Sequence, residues 1–341
     1  MSKIIHFSKY QGAGNDFVML DNRSGEFNSL TSGDIAKICS RKYGIGADGL
    51  ILLEIEGNNI RKQDDTTDEV LKTRNLGLHL RMKYYNSDGS IASFCGNGGR
   101  CFALFAHNLQ LSGKPLNSSN LFVALRLKLG HVLQYAPSFL HSRASTFEVL
   151  KAYPKKSKKA RLITFTADDG KHEALVYSEN RIQISMSNVE SVQACNSERH
   201  KVTLLNTGVP HAVVFTPSIE NAPIQKDGRE IRQDKDANVN FVQILPDGNI
   251  AIRTYERGVE DETDACGTGA VAAAIASVLI APKQQTQKQN DYLHDFGMHE
   301  VTVKTKTSTL KVYFTITDNN TVREIILEGG ATEVFKGIYK L

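Results

Sequence analysis

Short apolar runs alternate with polar turns along most of this chain, and only a few stretches repeat at helical spacing. Lys3 to Asp21 reads as a strand, a loop and a strand, the loop QGAGNDF carrying the turn formers Gly12, Gly14, Asn15 and Asp16. Ser32 to Tyr43 has a short helical pattern behind Thr31, a suitable N-cap. Leu50 to Ile55 is continuously apolar and suits a buried strand. Met82 to Asn86 predicts another strand, ended by the turn Ser87-Asp88-Gly89. Between them, about Glu56 to His79, the chain is polar and charged and reads as a solvated insertion.

Ser112 to Lys159 is a second insertion, with some helical periodicity in LFVALRLKLGHVLQY and a basic stretch, KAYPKKSKKAR, read as a solvated linker rather than a nucleic-acid patch. From Arg161 the pattern turns strongly β, with strand runs separated by Asp-Gly and Glu-Asn turns. VTLLNTGVPHAVVF reads as strand, turn, strand, and NVNFVQIL and AIRTYER pair around Pro246-Asp247-Gly248. VTVKTKTSTLKVYFTI and VREIILEG read as two closing strands before a short tail. Two helices stand out, Gly96 to His107 and Gly267 to Ala281, the second stopped by Pro282. That second helix is apolar on every side, so other structure must wrap it. The fold class expected is α+β: two pseudo-symmetric domains, each a β-rich, barrel-like sheet around a central helix. The expected division is residues 1–158, carrying both insertions and the returning tail 331–341, against residues 159–330.

At 341 residues there is length for two domains with full cores. A net charge of +4 leaves no strong electrostatic footprint for nucleic acid. The N-terminal MSKIIHFSKYQGAG lacks a signal-peptide core, and the longest apolar run, Ala270 to Ala281, is too short to span a bilayer. Five cysteines without a secretory signal suit a reduced, cytoplasmic protein with no membrane partner.

The candidate chemistry lies at the starts of the two helices. FCGNGGRC (Phe94 to Cys101) and ACGTGA (Ala265 to Ala270) each place a cysteine and Gly-x-Gly before a run of apolar or small residues. Tyr85 precedes Cys95 in YNSDGSIASFC, and Tyr255 precedes Cys266 in YERGVEDETDAC, a weak internal duplication. A helix N-terminus has unsatisfied N–H groups and a partial positive charge, which favours a thiolate. Gly96, Gly98, Gly267 and Gly269 remove side chains there, so an anion can reach the backbone donors. Two thiols facing one carbon from opposite sides can remove a proton from one face and return one to the other. Neither a metal nor another cofactor is needed in principle.

The chain resembles the diaminopimelate epimerase family of pyridoxal-independent amino-acid racemases and epimerases. The resemblance rests on eight motifs in order: GAGNDF at Gly12, YGIGADG at Tyr43, YNSDG at Tyr85, CGNGGRC at Cys95, TGVPH at Thr207, NVNF at Asn238, YERGVEDET at Tyr255 and ACGTG at Ala265. It implies a cofactor-independent enzyme, a homodimer of the lysine pathway, that interconverts LL- and meso-2,6-diaminoheptanedioate. Cys95 and Cys266 would be the acid/base thiols, with His211 and Glu256 tuning them. Asn15, Asn86, Asn238, Glu256 and Arg257 would bind substrate, and Gly96, Asn97, Gly267 and Thr268 would hold the reacting carboxylate through backbone N–H groups. Two departures stand out: Gly49 where the family often has Gln, and Val209 where it often has Asn. The competing readings are a racemase of another amino acid, such as proline or histidine, and a non-catalytic homologue. Cys101 reads as core, Cys39 and Cys195 as inert, and no spacing suits a zinc site.

Overall fold

The computed structural model describes residues 3–56, 79–111, 160–197, 199–280, 297–317 and 321–341. Both expected insertions fall almost wholly outside these residues, as do Ala281 and Pro282. The first half contains β1 (Ile4–Gly12), β2 (Asn15–Asp21), α1 (Ser32–Cys39), β3 (Gly49–Ile55), β4 (Leu80–Asn86), β5 (Ile91–Ala92), α2 (Gly96–Asn108), β6 (Arg161–Ala167), β7 (Gly170–Ser178) and β8 (Arg181–Ser185). After β9 (Val192–Ser197) the second half contains β10 (His200–Asn206), β11 (Pro210–Phe215), α3 (Ile224–Lys235), β12 (Asn238–Ile244), β13 (Ile250–Glu256), β14 (Asp261–Thr263), α4 (Gly267–Leu279), β15 (Met298–Lys304), β16 (Thr309–Ile316) and β17 (Val322–Gly329). The chain closes with β18 (Thr332–Lys340).

The two halves repeat strand for strand. In the first, β1 pairs with β2, β2 runs parallel to β3, β3 pairs with β4, β4 with β5 and, in parallel, with β6, then β6 with β7 and β7 with β8. In the second, β10 to β17 follow the same order with the same parallel steps. β8 pairs with β17 and joins the halves into one ladder. The strand that leaves each half caps the other: β9 pairs with β10, and β18 with β1.

Parallel neighbours need a crossover, which explains the helices. α1 and α3 lie between the strands of the first parallel step of each half, and α2 and α4 between those of the second. α2 packs against β1, β2, β3, β6, β7, β8 and β18, and α4 against β10 to β13 and β15 to β17. Each is therefore enclosed, buried from Gly96 to Ala106 and from Gly267 to Ser277. A helix enclosed this way can be apolar all round, as α4 is. α1 is instead a surface helix, started by a capping box in which Thr31 accepts from Asp34 N–H and Asp34 accepts from Thr31 N–H.

Several expectations are corrected. The break at 158/159 does not follow the strand pairing, because β6 runs parallel to β4 and β6 to β8 cover α2. The pairing turns to the second half only after Ser185. Turn signals mark where a strand ends, not which helix it will cover. α1 ends at Cys39 and α4 at Leu279, both short of expectation. VTVKTKTSTLKVYFTI is two strands, β15 and β16, separated by a turn in which Thr305 and Ser308 bond each other. The tail is strand β18, and α3 and β9 are additional elements. Among the described residues, no helix is long and apolar enough to cross a membrane.

Candidate active site

Cys95 and Cys266 occupy the same place in the two halves. Each is the N-cap of its central helix, with extended backbone at φ −142° and −116°. Each sulfur accepts from the amide three residues on: Gly98 N–H to Cys95 Sγ at 3.4 Å, Gly269 N–H to Cys266 Sγ at 3.3 Å. The Thr268 hydroxyl lies a further 3.3 Å from the Cys266 sulfur. A sulfur at an N-cap takes the place of the oxygen that usually satisfies those amides. Burial opposes the helix dipole: it pushes Cys95 up to about 11 and Cys266 up to about 12, and nearby Glu256 pushes the same way on both.

The two helix starts meet. Asn97, the second residue of α2, donates through Nδ2 to the carbonyl of Ala265, just before Cys266, at 3.3 Å. A Cβ at Gly267 would lie 3.1 Å from Asn97 Oδ1 and 3.3 Å from its backbone nitrogen. Leu327 closes the same junction, 2.9 Å from a Cβ built at Gly96 and 3.2 Å from one at Gly267. Glycine is thus what lets two polar helix ends approach each other.

A chain of hydrogen bonds fixes the amides in the first half. Asp48 Oδ2 accepts from Asn15 Nδ2 at 3.2 Å, Asn15 Oδ1 accepts from Asn97 Nδ2 at 2.6 Å, and Asn97 Oδ1 accepts from Arg100 Nη2 at 2.8 Å. A carboxylate can only accept and a guanidinium can only donate, so the ends set the orientation of both asparagines. Asp48 is held in turn by Arg41, which also pairs with Asp16, and Asp16 pairs with the buried Lys9 at 2.8 Å. Those bonds hold the Asp16 carboxyl below its ordinary value although burial works against them.

The second half has a different support. His211, which follows the Gly-Val-Pro turn signal, lies inside β11 and is fully buried. Its Nδ1 is 2.9 Å from Asn240 Nδ2, so the ring nitrogen accepts and the neutral ring carries its proton on Nε2. That Nε2 has no partner among the described residues. Burial, with a contribution from Arg257, pushes the imidazole down to about 3. Asn240 Oδ1 accepts from Thr254 Oγ1 at 3.0 Å and lies against Gly269. His211 therefore reaches Cys266 through Asn240 and the helix start, not directly. Asn238 accepts from Arg257 N–H at 2.9 Å and donates to the Pro210 carbonyl at 3.3 Å. The Arg257 guanidinium meets Asp236 Oδ2 at 3.2 Å. Burial pushes the Glu256 carboxyl up, with Thr263 pulling the other way.

Asn86 ends β4 opposite Gly49 and donates to Ser90 Oγ at 3.0 Å. A Cβ at Gly49 would lie 2.5 Å from the Tyr85 carbonyl and 2.6 Å from the Tyr84 ring. The tyrosine thus takes the room a side chain at 49 would need. Burial pushes the Tyr84 hydroxyl well up, and Cys95 and Glu256 are among the charges that push the same way. Val209 brings no polar side-chain atom to the loop, and its carbonyl accepts from Thr207 N–H at 3.2 Å. Sequence reasoning missed Asn240, Arg100, Asp48 and Tyr84. Two of these left a signal: Asn240 shares a strand face with Asn238, and Arg100 is a lone charge in an uncharged helix start.

Comparisons with known proteins point the same way. Residues 7–119 and 203–322 match the family described as diaminopimelate epimerase. Diaminopimelate epimerase of Flavobacterium psychrophilum is 34% identical over 96% of this chain and 97% of its own length. That of Chlorobaculum tepidum is 33% identical over 97% of this chain and 99% of its own. Among solved structures, a probable proline racemase from Agrobacterium radiobacter superposes with a TM-score of 0.58 at 11% identity, covering 98% of this chain and 92% of that one. A phenazine biosynthesis protein of the PhzF family from Bacillus anthracis gives 0.58 at 12%, covering 99% of each. At such identities these structures establish the fold alone.

Proposed function

We propose that this chain, which belongs to the diaminopimelate epimerase family and interconverts diaminopimelate stereoisomers, does so with Cys95 and Cys266 as paired acid and base. The observation that carries the proposal is the meeting of two helix starts, each with a sulfur on its N-cap and glycine beside it.

The substrate carboxylate accepts from backbone N–H groups of Gly96, Asn97, Gly267 and Thr268, where both helix dipoles favour negative charge. One sulfur, as thiolate, takes the proton from the carbon beside that carboxylate. The charge that develops spreads onto the carboxylate, where the same donors stabilise it. The other sulfur, as thiol, gives its proton to the opposite face, and the centre inverts. The pair ends with its proton on the first sulfur, ready for the reverse reaction. Glu256, whose charge opposes ionisation of both sulfurs, and His211, acting through Asn240, tune the pair.

Arg257 with Asn86 and Asn238 suits the second amino-acid head of a two-headed substrate, and Asn15 lines the same site from β2. This favours LL- and meso-2,6-diaminoheptanedioate over one-headed proline or histidine. The proposed chemistry uses protein groups alone. It needs both thiols reduced, which suits the cytoplasm, and its product suits lysine synthesis. A homodimer is part of the same family-based reading. The test is chiral separation of products from LL-diaminopimelate, proline and histidine with the purified enzyme. Conversion of the first alone supports the assignment; turnover of proline or histidine in its place refutes it.

A further inference from the structure

We propose that Arg100 makes the two thiols unequal, so that Cys95 carries the negative charge when the pair holds a single proton. This deepens the two-thiol reading and rests on it.

Arg100 is fully buried one turn into α2. Among the described residues its guanidinium donates to neutral oxygens: Asn97 Oδ1 at 2.8 Å, the Gly96 carbonyl at 3.3 Å and the Gly330 carbonyl at 3.3 Å. The chain makes close room for it, since a Cβ at Gly329 would lie 3.1 Å from Arg100 Nε. A guanidinium stays charged even when burial lowers its affinity for the proton. A buried charge without a counter-ion is costly, and no carboxylate among the described residues pairs with this one. Its bond to the carbonyl of Gly96, the residue directly after the N-cap Cys95, sets the guanidinium at the start of α2, where the groups whose negative charge favours it are Cys95 and Cys101. Cys101 is wholly buried in the core, and burial pushes it far up, so it remains a thiol. That leaves Cys95.

The internal repeat breaks at this position. Superimposing Cys266 on Cys95 puts Val271 on Arg100, and α4 carries no basic residue. Glu256 opposes ionisation of both sulfurs and a charge on Cys95 opposes that of Cys266, whereas Arg100 favours the Cys95 thiolate. Tyr84 is a further ionisable neighbour of Cys95. Other polar groups near the helices are bonded to one another: Lys9 with Asp16, His172 with Asp169, Arg181 with Glu328. Cys266 has the Thr268 hydroxyl in compensation, a dipole rather than a full charge. Arg100 also holds Asn97, and through it the Ala265 carbonyl, so the charge that biases the pair sits in the group that fixes its spacing.

The test is the pH dependence of alkylation by iodoacetamide, read at each cysteine by mass spectrometry in the absence of substrate. Midpoints, unlike rates, do not depend on how accessible each sulfur is. In the wild type the Cys95 midpoint should lie about 1 pH unit or more below that of Cys266, a tenfold difference in thiolate fraction. Arg100→Gln should raise the Cys95 midpoint by a similar amount and move that of Cys266 less, and Arg100→Lys should restore the order. Coincident or reversed wild-type midpoints overturn the proposal, whether or not Arg100→Gln folds. An unmoved Cys95 midpoint in folded Arg100→Gln overturns it as well. Because the assay needs no turnover, absence of epimerisation would sink the two-thiol reading separately, while coincident midpoints in an active enzyme would sink only the role of Arg100.

Discussion

Gly98 and Gly269 occupy the same helical position behind the two sulfurs, yet replacing each by alanine should have very unequal consequences. Both substitutions keep the amide that donates to sulfur. Both also gain roughly 0.5–1 kcal/mol by reducing the freedom of the unfolded chain. At Gly98 the new methyl would lie 3.0 Å from Ile51 Cδ1 and 3.3 Å from Met82 Cε, the far ends of side chains that can turn aside. The net change there should be within about 1 kcal/mol of zero. At Gly269 it would overlap Asn240 Oδ1. Asn240 is fully buried and held by His211 at 2.9 Å and Thr254 at 3.0 Å. Overpacking costs about 1–3 kcal/mol, and a buried hydroxyl stripped of its acceptor costs about 1–3 kcal/mol more. After the gain is subtracted, Gly269→Ala should be destabilised by about 1–5 kcal/mol, and displacement of Cys266 should lower kcat by about 100-fold. Urea unfolding with matched m-values and steady-state epimerisation measure both quantities. Equal losses at the two glycines, or a larger loss at Gly98, would refute this steric reasoning.

Burial holds Cys95 near 11 and Cys266 near 12, so kcat/KM should climb from pH 7 into the alkaline range as the coupled pair loses its first proton; a plateau already reached at pH 7 would contradict this. His211 is pushed down to about 3, so the unfolded chain takes up a proton below about 6.5 that the folded protein refuses. Stability should therefore fall as pH drops from 6.5 towards 3, and His211→Asn should flatten that dependence in urea titrations; parallel curves would count against it. Gly49→Ala should cost on the order of 2 kcal/mol or more, because its methyl meets the Tyr85 carbonyl as well as the Tyr84 ring. Tyr84→Ala should restore only part of that loss, and full rescue would place the whole conflict on the ring.

The two helix starts were legible because sulfur, glycine and an apolar run recur together at Cys95 and Cys266. An all-apolar α4 also had to be enclosed, which gave a wrapped helix before any strand was placed. Strand partners were not legible. β6 to β8 have ordinary alternation, and nothing local says they cover α2 rather than α4. The exchange of β9 and β18 between halves is likewise a long-range choice. α3 was missed because its strongly polar sequence, IQKDGREIRQDK, buries only Ile224, Asp227, Gly228 and Ile231. Gly-Val-Pro before His211 signals a turn, while the ring itself belongs to the strand that follows. Its support by Asn240 depends on two strands meeting in parallel, His211 opposite Asn238, and no spacing along the chain encodes that register.

The most direct measurement follows a single turnover of LL-diaminopimelate in heavy water. Transfer between two sulfurs on opposite faces places solvent deuterium at the inverted carbon of the product, while substrate recovered early keeps its hydrogen. Cys95→Ala and Cys266→Ala should each abolish inversion. Product that retains its original hydrogen, or inversion that survives the loss of either sulfur, would contradict the paired-thiol mechanism.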